Sequence, residues 1–164
     1  MQIKRASVFV AVSIATISAL VFISAVPALA QNQDPIIGTW NLHGANTDRS
    51  NPFIAVMTFN AGGTTVEFDT AGTNSSASPG ESIVLGKWSQ TAVSKYTFKE
   101  QNYVYDKSGS LSLIAIAGCK LDLASDMKHV SGPCTLSFYQ CSVKQCPGSL
   151  KAGPIAFKVA GKRF

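Results

Sequence analysis

Histidine is scarce in this chain, with only His43 and His129 in 164 residues, and charged residues make up just 14%. These shortages exclude a good deal. General acid–base chemistry wants a positioned histidine or a carboxylate with a displaced pKa. No serine stands in a Gly-x-Ser-x-Gly elbow, so no triad can be assembled from spacing. A redox Cys-x-x-Cys pair is missing. Ala61-Gly62-Gly63 reads as a hairpin turn rather than a phosphate loop, because no helix follows it. Helix-period stretches, internal repeats and linker-like segments are all absent. Beyond Val26 no apolar run approaches the ~20 residues of a membrane span.

The one long apolar run lies at the start. Lys4 and Arg5 precede an apolar stretch from Ala6 to Val26, which closes with Ala28-Leu29-Ala30 ahead of Gln31. A basic start, an apolar middle and a small-x-small exit make residues 1–30 a secretory signal peptide. The rival reading is an uncleaved anchor; Pro27 and the Ala-x-Ala step favour cleavage. No cysteine follows the apolar run to carry a lipid. The expected mature chain, residues 31–164, is one domain of a secreted protein, periplasmic or extracellular, with no membrane span left after cleavage. Without Lys4 and Arg5, twelve of the 14 basic residues remain against 9 acidic ones. The lysines are scattered and not interleaved with aromatics, which argues against a nucleic-acid surface.

From Ile36 onward hydrophobicity alternates with period two, and turn residues separate short runs. Expected strands are 36–42, 53–60, 64–70, 83–90, 94–106, 111–123, 130–141 and 154–164, with a Ser-, Gly- and Asn-rich loop over 71–82. Sequential strands joined by short turns favour an antiparallel up-and-down sheet. Closing it into an eight-stranded barrel removes its exposed edges. Alternation then assigns interior faces. Ile36, Trp40 and Leu42 share one; so do Phe53, Met57 and Phe59; Val66 and Phe68; and Tyr96, Phe98, Glu100, Asn102 and Val104. The later strands present Leu111, Leu113, Cys119, Leu121 and Leu123; Cys134, Leu136, Phe138 and Gln140; and Ile155, Phe157, Val159 and Arg163.

All four cysteines fall in the C-terminal half, an even number in an exported chain, which makes disulfides the default. Cys119 and Cys134 are equidistant from a turn at Asp126-Met127, so they face each other across that hairpin. Cys141 and Cys146 then close a small loop. The rival reading of a metal or redox site lacks four converging ligands, since the other two cysteines lie on separate strands. No metal or other cofactor is expected.

Gly38-Thr39-Trp40 at the head of the first strand resembles the G-x-W start of lipocalins and their calycin relatives. That resemblance implies that Trp40 plugs one end of the barrel and that Arg163, next to last in the chain, lies across it. A guanidinium on an indole face gains cation–π attraction, so both are expected to be structural. The lipocalin T-D-Y motif is missing and no helix follows the barrel; an avidin-like start lacks that family's polar biotin set. A likeness covering nearly all of the mature chain is to an uncharacterised secreted bacterial small β-barrel family. It is carried by Gly38-Thr39-Trp40, Thr58-Phe59-x-x-x-Gly63-Thr64, Ser78-Pro79-Gly80, Gly86-x-Trp88, Tyr96-x-Phe98 and Tyr105-Asp106 with Gly109. It implies fold and location, and no activity; the cysteines stand outside its pattern.

No catalytic residue is expected. The sharp residue is Glu100, which shares a phase with Tyr96, Phe98 and Val104 and so points into the barrel unless a bulge flips it or it lies at a wet mouth. A barrel of about eight strands is filled by its own side chains or holds one small ligand. The leading expectation is a non-enzymatic binder of a small apolar ligand held among Trp88, Tyr96, Phe98 and Phe138, with Glu100, Asn102 and Gln140 as polar contacts. The alternatives are a filled barrel acting through its surface loops as an interaction or envelope-associated module, and a small-barrel cyclase- or isomerase-like enzyme.

Overall fold

In a computed structural model of the chain, residues 34–48, 50–70 and 80–164 are described, and they contain nine antiparallel strands and no helix. The segment expected to be a signal peptide, and residues 71–79 of the expected loop, lie outside the described residues. The strands are β1 (Gly38–Asn46), β2 (Phe53–Asn60), β3 (Thr64–Asp69), β4 (Gly80–Glu81), β5 (Val84–Ala92), β6 (Lys95–Tyr105), β7 (Leu111–Leu123), β8 (His129–Gln140) and β9 (Leu150–Arg163). Eight long strands pair in sequence. β1 then pairs with β9 from Trp40↔Arg163 to Asn46↔Phe157, which closes the ring. The architecture is an eight-stranded up-and-down barrel of the calycin/lipocalin kind.

The two-residue β4 was read as loop. It pairs with β6 through Gly80↔Tyr105 and Glu81↔Val104, continuing the edge that β5 leaves at Leu85↔Gln101. β1 starts later than expected because residues 35 and 36 form a turn, and it runs on to Asn46. β9 begins at Leu150 rather than Pro154.

One face assignment is reversed. Phe68 was expected inside, yet it is 59% exposed, while Thr65 and Glu67 are buried. The β2–β3 hairpin explains this. Gly62 and Gly63 take φ of +93° and +85°, the left-handed region that glycine enters without penalty, and the turn sets Phe59 opposite Thr65. Paired residues share a face, so the inward Phe59 draws Thr65, Glu67 and Asp69 inward and sends Val66 and Phe68 out.

One end of the barrel is solidly filled. Trp40 is 0% exposed, and its indole N–H donates to the Ile36 carbonyl at 2.9 Å. The Arg163 guanidinium carbon lies 4.9 Å from the centre of that ring, and Arg163 also donates to the Pro35 carbonyl. The 34–37 segment crosses this end and is tied down again where the Tyr96 hydroxyl donates to Asp34 at 2.6 Å. Phe59 meets Trp88 and Phe98 edge to face, with ring centres 6.2 and 5.9 Å apart. Cys119–Cys134 bridges directly paired residues of β7 and β8, and Cys141–Cys146 closes the loop after β8. Both pairings are those expected, and they fit an oxidising, extracytoplasmic setting.

Removing the indole from this base empties a large, fully enclosed site. Trp40→Ala is expected to cost about 3–5 kcal/mol in urea unfolding. A loss below about 1 kcal/mol would show that the ring is no plug.

Candidate functional site

The half of the barrel away from Trp40 is hollow, with a cavity of about 410 Å³. Its size follows from residue choice on β7. Ala115 and Ala117 point inward there, opposite Asn102 and Glu100 on β6 and Phe138 and Leu136 on β8. Two methyl groups stand where a filled barrel would carry branched or aromatic side chains, and the missing volume is the cavity.

The lining is divided. Leu42, Leu113, Leu136, Phe138, Phe157 and Val159, from β1 and β7 to β9, make an apolar wall, and Phe53 meets Phe157 edge to face at 5.8 Å. Facing it, β3, β4 and β6 contribute Glu67, Asp69, Glu81, Glu100 and Asn102. Among the described lining residues none is lysine, arginine or histidine. Gly86 makes the acidic wall buildable. A Cβ placed on it would sit 2.5 Å from Thr65 Oγ1 and 2.7 Å from Glu100 Cβ, so only glycine lets β3 and β6 bring these side chains together across β5.

Glu100 is 7% exposed and Glu67 6%. Glu100 Oε2 is buried with no hydrogen-bond partner, as is Thr65 Oγ1. Burial, reinforced by Asp69, pushes Glu67 from its ordinary 4.5 up to about 8. Burial likewise raises Glu100 well above the usual carboxylate range, with Glu67 and then Asp69 adding repulsion. At the rim, desolvation and Asp69 raise Glu81, against the opposing effect of the Asn102 amide, which donates to Glu81 Oε2 at 2.8 Å. Two neighbouring carboxyls that are reluctant to ionise therefore face an apolar wall. Among the described residues, no group of three or more His, Cys, Asp or Glu is arranged to hold a metal ion.

Of the residues expected at a ligand site, Phe98, Glu100, Asn102 and Phe138 line the cavity. Trp88 and Tyr96 do not. They face inward at the filled end, 6.0 Å apart, where Trp88 donates to the Asn60 carbonyl at 3.0 Å. Gln140 keeps the phase of Phe138 and pairs with the cavity-lining Leu113, but as the last residue of β8 it is exposed and lies outside the cavity lining. Glu67, Asp69, Ala115 and Ala117 were missed. The hairpin register could have revealed the first two, and consecutive small residues on an inward phase the last two. Neither a family model nor a curated protein matches the chain.

The carboxyl pair links stability to pH. Between about 4.5, the ordinary glutamate value, and about 8, the folded protein holds more protons than the unfolded chain. Stability from this pair is therefore fully present below that window and is lost as pH rises through it. The melting temperature of the ligand-free protein should fall across that range. Glu100→Gln, which keeps the shape and removes the charge, should melt higher than the parent near pH 8 and show a flatter profile. A parent protein that instead gains stability over this range would mean the carboxyls ionise freely.

Proposed function

We propose that this is a secreted, non-enzymatic barrel that binds a small, largely apolar ligand in the open half of its interior. The observation that carries this reading is the cavity, whose volume falls within the ~300–1,000 Å³ of typical ligand pockets. An apolar wall with a few convergent polar groups is the usual makeup of such pockets. Phe98 and Phe138 supply apolar contact and Glu100 and Asn102 orient the ligand, while Trp40, Arg163, Trp88 and Tyr96 hold the base closed. Secretion rests on the sequence of residues 1–30 and is supported by the two disulfides. The resemblance to the secreted small-barrel family supports fold and location in the same way. A barrel acting only through its outer surface leaves the hollow half unexplained.

A second reading, a small-barrel enzyme, is favoured by one observation: a carboxyl held neutral beside an apolar cavity can give a proton to a bound molecule. The two readings differ in what leaves the barrel. A binder returns its ligand with mass and chromatographic retention both unchanged, whereas an isomerising enzyme returns a molecule of the same mass with altered retention.

Ala117→Phe places a ring in the cavity opposite Glu100. The parent protein should enhance the fluorescence of the uncharged dye N-phenylnaphthylamine, and the variant should lose roughly tenfold or more of that affinity while still melting cooperatively. Equal dye binding by a folded variant would move the ligand site elsewhere.

A further inference from the structure

We propose that the ligand carries a protonated amine on an apolar body, with the ammonium seated between Glu67 and Glu100 and the body lying against the wall of Phe53, Phe138 and Phe157. This rests on the ligand-binding reading above and goes on to name the chemical class bound.

Charge comes first. Each charged residue among those described as lining the cavity is acidic. An anionic ligand would add a further negative charge to this enclosure, and like-charge placement is unfavourable at short range. Geometry comes second. Glu100 is 7% exposed and lines the cavity, and its Oε2 is buried without a hydrogen-bond partner. Leaving a buried polar atom unpaired costs free energy that an internal partner would have recovered. The fold supplies no such partner on the facing strand, where the residues paired with Glu100 and Asn102 are Ala117 and Ala115. An ammonium offers three donors to such acceptors. The third observation concerns the ligand's other end. Phe53, Phe138 and Phe157 border the same space and offer apolar contact to the body that carries the ammonium. A bare metal ion would not use the apolar wall, and the described residues show no grouping suited to one.

Binding balances as an exchange. The ammonium enters with its N–H bonds intact, one carboxyl O–H bond of the Glu67–Glu100 pair breaks, and that proton goes to solvent. The enclosure thus takes up a cation and releases a proton without change in net charge. Asp69 and Glu81, from β3 and β4, add carboxyls to the same lining, and Asn102 from β6 adds an uncharged amide.

The test compares n-octylamine, 1-octanol and octanoate, which share one chain length and differ in charge at neutral pH. By titration calorimetry octylamine should bind roughly tenfold or more tighter than octanol, the size expected of charge-assisted hydrogen bonds, with octanoate weakest. Repeating the titration in buffers of different ionisation heat should show proton release with octylamine alone. E100Q and E67Q should each erase the preference for octylamine and the proton release, while retaining octanol binding, which also shows that the variants fold. Equal affinity for amine and alcohol, or tightest binding of octanoate, overturns the amine assignment and leaves the ligand-binding reading standing. If none of the three binds, and the uncharged dye fails as well, both readings fall.

Discussion

The edge-to-edge hydrogen bonding of β1 with β9 is the constraint on which everything else hangs. It converts an open sheet, with two sticky edges, into a ring with an inside. The pairing extends over seven residue pairs and delivers Arg163 to Trp40, so closure and the sealing of one end are a single event. Once the base is sealed by an indole, a guanidinium and the crossing 34–37 segment, the interior has one blind end. Only then can side chains further up be held away from water, and only then do their protonation preferences depart from those of surface groups.

The upper and lower halves of the interior embody opposite uses of the same barrel. Below, Trp40, Phe59, Trp88, Tyr96 and Phe98 fill the section with rings, and each indole or phenol finds a hydrogen-bond acceptor, as buried aromatic donors require. Above, two alanines open a space and two glutamates sit in it at an electrostatic cost. A protein under selection for stability alone would exchange that arrangement for apolar packing. The tension between a well-satisfied base and an under-satisfied upper chamber is what makes the chamber the candidate site.

Alternation and turn chemistry made the class of fold, the closure and both disulfides readable before any coordinates. Cys119 and Cys134 were placed by their distances from a turn, and that logic is insensitive to which face is buried. Face assignment was weaker wherever apolarity was used in its place. Val66 and Phe68 look like core residues, yet the glycine turn outranks hydrophobicity in fixing phase. Trp88 and Tyr96 show a different gap: period two says which face a residue takes, but not its level along the barrel axis. That level depends on strand tilt and stagger, which emerge only from the whole set of registers. Gln140 belongs with these two: its phase is right, but it stands at the strand end, past the level of the cavity. Glu100 was correctly placed inside, while its neighbour Glu67, three strands earlier in the chain, was hidden by the phase error on β3.

The wall itself is uneven in a way that bears on how such a container works. β7, β8 and β9 run 13, 12 and 14 residues, and a disulfide rivets the first two. β3 has only 6 residues and meets β5 through four pairs, Thr64↔Lys87 to Glu67↔Val84. The barrel thus has a long-stranded spine and a short-stranded flank; Glu67 and Asp69 ride on the flank, and Glu100 stands on the long β6 beside it. A guest of awkward shape would be accommodated by give on the acidic side, with the greasy side acting as a fixed mould.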